Sequence, residues 1–135
     1  MEDVLALVRE HGGRVSGPRR LLLEALFEGP DHQTAEDLAG VVQDRAPDVA
    51  LSTIYRNLDE LERLGVLVHS HLGHGPATYH LADAAHCHFV CEECGVAVAA
   101  PDELFAGLTE AARTRYGFEI DTHHFAILGR CAACR

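Results

Sequence analysis

The sequence is most informative at Ser52-Thr53-Ile54-Tyr55-Arg56-Asn57-Leu58, where a helix with two different faces begins. Apolar residues recur at helical spacing from Ile54 to Leu64, which predicts one buried face. We expect Ser52 to cap this helix and Gly65 to end it. The other face carries small hydroxyl groups, an aromatic ring and an arginine, which suit the major groove of DNA, although a solvated amphipathic helix would show the same periodicity.

Shorter helical segments precede this helix, and a β-hairpin follows it. Pro18 is well placed as the first residue of a second helix, and Thr34 resembles the cap of a third. Val66–Leu72 and Ala77–Leu81 are predicted strands on either side of a Gly-Pro turn. Three or four helices followed by a hairpin indicate a winged helix-turn-helix, which we assign to residues 1–82.

The remaining residues, 83–135, are predicted to form a small α/β domain. A helix is expected to begin at Pro101 and to end at Gly117. The whole chain is therefore predicted to be an α+β protein. Four strands are expected in the second domain, at His86–Val90, Val96–Ala99, Phe118–Asp121 and His124–Leu128.

The composition indicates a folded, soluble, cytoplasmic protein. The chain has 135 residues, of which 47% are hydrophobic, and no apolar run approaches the roughly 20 residues of a membrane span. The acidic start, Met1-Glu2-Asp3, lacks the pattern of a signal peptide. The net charge is −10, and all 11 basic residues are arginine. Binding to nucleic acid therefore has to come from a local group of arginines and not from the overall charge.

Four of the five cysteines form two Cys-x-x-Cys pairs, Cys91 with Cys94 and Cys131 with Cys134. Two residues between paired thiolates let both bind one tetrahedral ion at about 2.3 Å. Four thiolates leave no open position on the ion, so the predicted site is structural zinc. Free or disulfide-bonded cysteines are the alternative, which the odd cysteine count and a cytosolic location disfavour.

The ten histidines include two His-x-His pairs, His69 with His71 and His86 with His88. Residues two apart in a strand point to the same face, so each pair could share one ion. Exposed histidines on the hairpin are the alternative for the first pair. Imidazole ligands favour nickel, copper or zinc over iron(II) or manganese(II). The other candidate ligands are His80 and His32, which could complete the second pair, and one of His123 and His124.

Two groups of residues are predicted to contact DNA. Tyr55 suits a thymine methyl group, and Arg56 suits a phosphate or a guanine. The hydroxyl groups of Ser52-Thr53 lie beside them in the sequence. Arg19 and Arg20, at the start of the second helix, are expected to hold the DNA backbone.

In combination, these motifs resemble the Fur (ferric uptake regulator) family. The matching stretches cover almost the whole chain: Arg14-x-x-x-Pro18-Arg19-Arg20, Ser52 to Leu58, His86-x-His88 and the two cysteine pairs. The resemblance implies a homodimeric, metal-activated repressor whose winged helix binds an inverted repeat in double-stranded DNA. It also implies that residues 83–135 form the dimerisation domain.

The stretch from His69 to Asp83 looks most like the nickel-responsive branch of that family, Nur. Two departures from Nur are Ala84, which replaces a histidine, and Cys87 between the paired histidines, which leaves zinc preference or thiol sensitivity open. The implied nickel ligands are His69, His71 and His124. The resemblance also implies a hinge site, in which His80 stands where the family commonly has a carboxylate. The implied ligands of this site are His32, His80, His86 and His88.

The sequence therefore predicts a DNA-binding transcriptional repressor with a structural zinc ion and a sensed divalent metal, nickel. Zinc or iron is the alternative for the sensed metal. A zinc hydrolase is disfavoured because the chain has no His-Glu-x-x-His motif and no evident general base beside an open metal position. A metal-buffering protein would explain the histidines but not the helix that carries Tyr55 and Arg56.

Overall fold

The computed structural model describes residues 1–84, 86–123 and 126–135, which separate into two units. The first unit contains Met1–His69 and Ala77–Ala84, and the second contains Ser70–Pro76 and Ala85–Arg135. The elements are helices and two small sheets, so the predicted α+β class is confirmed. The domain boundary that the sequence suggests after residue 82 stays a prediction. No helix in the described ranges is long and apolar enough to cross a membrane.

Four helices form in the first unit, as the sequence predicts. α3 begins with the capping box expected at Thr34, whose hydroxyl accepts the N–H of Asp37 at 3.1 Å. The Asp37 carboxylate in turn accepts the N–H of Thr34 at 2.9 Å, and this bond holds the pKa of Asp37 below its usual value. The helices are α1 (Glu2–Glu10), α2 (Gly17–Glu28), α3 (Ala35–Arg45) and α4 (Leu51–Arg63).

The prediction that Ser52 caps α4 is wrong, because the helix begins two residues earlier than such a cap requires, at Leu51. Ala50 is the capping residue, with an extended backbone and no side-chain bond to the helix. Its carbonyl accepts the N–H groups of Thr53 at 3.0 Å and of Ile54 at 3.4 Å. The first turn is therefore closed by the backbone, and Ser52 lies inside it with an exposed side chain.

The apolar face of α4 packs into the core of the first unit, as its periodicity predicts. Ile54, Leu58 and Leu61 are fully buried in this core. Gly65 follows the helix with a positive φ of 71°, a conformation that favours glycine after a helix end. Burial of the apolar face fixes which side of α4 meets solvent. The other helices contribute fully buried residues to the same core, among them Leu5, Leu22, Leu23 and Leu38.

The strands of the predicted hairpin form, and a short extra strand joins them. β1 (Gln33–Thr34), β2 (Leu67–His71) and β3 (Ala77–Leu81) lie in the order β1-β3-β2. β1 runs antiparallel to β3 with Gln33 opposite Tyr79. The side-chain amide of Gln33 donates to the Ala25 carbonyl at 3.0 Å, which ties this strand to α2. Two residues are too few to produce a periodic pattern, so the sequence does not predict β1.

The second unit is a three-stranded sheet with a helix that lies between the second and third strands along the chain. Its strands are β4 (Cys87–Cys91), β5 (Ala97–Ala100) and β6 (Ala126–Gly129), in the order β5-β4-β6. β4 is antiparallel to β5 and parallel to β6. A 3₁₀ turn at Asp102–Phe105 leads into α5 (Ala106–Tyr116).

The strand predicted at Phe118–Asp121 is wrong. These residues alternate apolar and acidic side chains, but they form no regular structure. The described strands place β5 and β6 on the two sides of β4, and 118–121 pairs with none of them. An alternating pattern without a neighbouring strand has no backbone partner and does not become a strand. Gly117, with a φ of 61°, ends α5 as predicted.

Candidate metal centres and nucleic-acid interface

The two cysteine pairs of the second unit come together at one end of its sheet. β4 and β6 are parallel neighbours, so the turns that follow them emerge at the same end, with Cys91 opposite Gly129 in the register. The sulfurs of all four residues lie within 4.8 Å of one another, and the sulfurs of Cys94 and Cys131 are 3.8 Å apart. A tetrahedral zinc ion with Zn–S bonds of about 2.3 Å separates its sulfurs by about 3.8 Å. The four cysteines therefore fit a structural zinc ion.

The electrostatics of the cluster suit a cation. The N–H of Cys131 donates to the sulfur of Cys91 at 3.4 Å, and this bond, with others from the backbone of the first pair, lowers the pKa of Cys91 to about 6. The pKa of Cys134 is raised to about 12, because its thiol is hydrogen-bonded to the sulfurs of Cys131, Cys94 and Cys91. One thiolate is thus favoured, and a cation bound among the four sulfurs would favour the thiolate form of the others as well. None of the five cysteines is in a disulfide.

The exposed face of α4 carries most of the residues predicted to contact DNA. Ser52, Tyr55 and Arg56 are exposed, and Thr53 is half-buried. The hydroxyl of Tyr55 donates to the carboxylate of Glu36 on α3 at 3.1 Å, and this bond raises the pKa of Tyr55. The hydroxyl therefore stays protonated at neutral pH, with its ring presented to solvent.

Arg19 and Arg20 occupy different environments. Arg20 lies at the surface, with its guanidinium 3.7 Å from the carboxylate of Glu2. Arg19 is only 6% exposed, and its Nε donates to Asn57 Oδ1 at 2.7 Å. Its other nitrogens donate to the Arg14 carbonyl at 2.8 Å and to the carboxylate of Glu60. The Arg19 guanidinium is therefore positioned to join α2 to α4, and Arg20 is the member of the pair at the surface.

Replacing Arg19 with alanine is expected to lower the free energy of unfolding by about 2 kcal/mol, because Asn57 and Glu60 lose a charged partner in a mostly buried position. Urea denaturation of the two variants Arg19→Ala and Arg20→Ala measures this. Arg20, which is half-buried and has its guanidinium at the surface, is the control and should change stability by less than about 0.5 kcal/mol. Equal midpoints for the two variants would contradict a structural role for Arg19.

In the first unit, the structure describes three of the predicted histidine ligands. His80 on β3 is buried, and its ring lies 6.0 Å from that of His32 in a T-shaped arrangement. His69 on β2 is half-buried, and its Nδ1 contacts the carboxylate of Glu62, a residue of α4. Sequence reasoning missed Glu62, since no pattern links a helix carboxylate to a histidine seven residues later in a strand.

In the second unit, His86 and His88 form the expected pair, with ring centroids 4.4 Å apart. His88 is buried, and so is Cys87, whose thiol has its pKa raised by burial. His71 is exposed at the end of β2. His123 lies near two carboxylates, those of Asp102 at 3.7 Å and Asp121 at 3.8 Å. His124, the third predicted nickel ligand, lies outside the described residues.

The chain matches known proteins over nearly its whole length. A model of the Ferric uptake regulator family matches residues 10–128. The Ferric uptake regulation protein of Neisseria meningitidis serogroup A is 30% identical, with 97% of this chain and 92% of that protein covered. The Peroxide operon regulator of Bacillus subtilis is 27% identical, with 99% and 92% covered. The structure of the ferric uptake regulator from Pseudomonas aeruginosa with manganese has a TM-score of 0.74 and 30% identity, covering 94% of this chain and 96% of that chain.

Proposed function

The chain belongs to the ferric uptake regulator family, and from this premise we propose that it is a DNA-binding repressor activated by a divalent metal. The similar proteins are named as regulators, so the chain is a metal-responsive regulator of transcription and not an enzyme. One observation carries the proposal. A single segment, residues 51–71, holds both the exposed Tyr55-Arg56 face of α4 and the His69-x-His71 pair of β2.

Nickel is the metal that we propose for the wing histidines, His69 and His71, with His124 as the third ligand. Imidazole donors favour nickel, copper or zinc over harder ions. The names of the relatives point to iron and peroxide, so iron(II) is the first alternative and zinc the second. A nickel ion at this pair would be held beside the helix that faces DNA.

A second metal site is proposed at the hinge histidines, His32, His80, His86 and His88. Their chemistry supports it, because all four donors are imidazoles and two of them, His80 and His88, are buried. Zinc suits such a set as well as nickel does. The four cysteines are proposed to hold a separate zinc ion with a structural role.

We propose that the chain acts as a homodimer on an inverted repeat of double-stranded DNA, in the cytoplasm. The second unit supports this, because α5 has no buried residue and several large apolar side chains of the unit are exposed. Exposed apolar side chains that group into one patch are typical of a protein–protein interface. The exposed residues include Val98, Leu104, Leu108 and Phe118.

A gel-shift series with a palindromic duplex tests the function. The protein with zinc in its cysteine site should retard the duplex only when nickel is added, because the sensed metal favours the DNA-binding state. Zinc, iron(II) and manganese(II) are run in parallel to identify the effector. A protein that binds nickel but never retards the duplex would be a metal-buffering protein, and the repressor assignment would be wrong.

Replacing Arg56 with alanine is expected to weaken operator binding by about 1–3 kcal/mol, with relaxed specificity at one position, if the guanidinium reads a base. If it contacts only phosphate, binding should weaken equally for all sequences and the salt dependence should fall. Titrations at several salt concentrations separate the two cases. Arg9→Ala, in the last turn of α1, removes the same charge from an exposed position and is the control. Unchanged affinity in Arg56→Ala would show that another element contacts the DNA.

A further inference from the structure

The last turn of the DNA-facing helix touches a proposed metal ligand. Glu62 lies near the carboxyl end of α4, and its carboxylate contacts Nδ1 of His69 on β2. Both side chains are 30% exposed, so the contact is half-shielded from water. The ring of Tyr79 lies 6.2 Å from that of His69. Tyr79 is mostly buried, so the imidazole has an ordered aromatic neighbour on this side.

We propose that Glu62 is a positioning residue that orients His69 for metal binding and links the occupied wing to the DNA-facing helix. This inference rests on the proposed function. Glu62 is not offered as a metal ligand. Its role is to set which nitrogen of the imidazole faces the ion and where that nitrogen points.

The contact with Glu62 determines which nitrogen of His69 is available to a metal ion. A carboxylate at Nδ1 holds the proton on that nitrogen, so a metal ion would bind at Nε2. The negative charge also makes the ring a stronger donor. In metalloproteins, loss of such an outer partner weakens metal affinity by about 10- to 100-fold.

The position of Glu62 on α4 connects the proposed metal site to the DNA-facing side of the helix. Glu62 is seven residues after Tyr55, which is two turns and about 10 Å along the same side of the helix. The apolar face of α4 is fully buried at Ile54, Leu58 and Leu61, so the helix moves as one body. A metal that holds His69 in place therefore also holds, through Glu62, the helix that presents Tyr55. Because coupling is reciprocal, DNA bound to α4 should tighten the metal site.

The test is a nickel titration of the full chain, with zinc already in the cysteine site, against a chromophoric chelator. Glu62→Ala should weaken nickel binding by about 10- to 100-fold, and Glu62→Gln should recover part of the loss, since its amide oxygen still accepts the Nδ1 proton. Asp59→Ala is the matched control, because it removes one exposed carboxylate from the same helix. Its nickel affinity should stay within about threefold of the wild type.

A second measurement needs no metal. Nitrogen-15 NMR of the histidine rings should show the proton of His69 on Nδ1 in the wild type and a shift towards Nε2 in Glu62→Ala, with Asp59→Ala unchanged. Unaltered nickel affinity in Glu62→Ala, together with its loss in His69→Ala, would overturn the role of Glu62 and leave the nickel function standing. Unaltered affinity in His69→Ala would overturn both.

Discussion

Replacing Cys91 with serine is expected to remove the structural zinc ion and to unfold the second unit. The four sulfurs lie at distances that suit one tetrahedral ion, so a missing thiolate leaves an incomplete site. Binding of structural zinc is worth about 10–16 kcal/mol in small zinc-finger peptides, as much as the whole stability of many domains. The described part of the second unit has a small apolar cluster of its own, formed by Cys87, Ala100 and Phe105. The stability of the second unit should therefore depend strongly on bound zinc, whereas the first unit has a large apolar core of its own.

Zinc analysis of the purified protein and thermal unfolding measure this effect. The control is Cys87→Ala, which alters a buried cysteine outside the cluster and should keep one tightly bound zinc ion per chain. The first unit should remain folded in Cys91→Ser, because its core contains no residue of the second unit. A Cys91→Ser protein that retains its zinc and the wild-type melting temperature would refute the four-thiolate site.

Replacing His71 with alanine is expected to abolish nickel-dependent binding to DNA. Fewer imidazoles hold the ion less tightly, while the cysteine cluster is separate in sequence and should keep its zinc. His71 is exposed at the end of β2, so its removal should leave the melting temperature unchanged. The measurement is a nickel titration followed by gel shift at each nickel concentration.

Two further variants are needed to interpret the result for His71→Ala. His74→Ala removes an exposed histidine from the adjacent turn and should behave as the wild type. His86→Ala should weaken activation in a different way, with a greater response to zinc than to nickel. Wild-type nickel dependence in His71→Ala would make the wing pair ordinary surface histidines. The sensor would then be the hinge set, with zinc or iron as the more suitable effector.

Local patterns were enough to predict the helices and the ligand pairs. The capping box of α3 joins residues three apart, and the buried stripe of α4 repeats within single turns. The Cys-x-x-Cys spacing likewise belongs to one turn of chain. Such interactions join residues only a few positions apart, so the sequence contains all the information needed to predict them.

Such local patterns do not predict contacts between residues that are far apart in the sequence. Arg19 was expected at the DNA surface, yet it bonds Asn57 and Glu60, which are 38 and 41 residues away. The pattern at 118–121 is strand-like, but no described strand lies beside it.

The sequence alone established the α+β class, the four amino-terminal helices and two cysteine pairs capable of holding one ion. It could not show that the turns after β4 and β6 meet, because the parallel pairing of these strands joins parts of the chain separated by α5. Nor could it show that Glu62 on α4 reaches His69 on β2. Both arrangements follow from how whole elements pack, since the burial of an apolar face decides which polar side chains on the opposite face become neighbours.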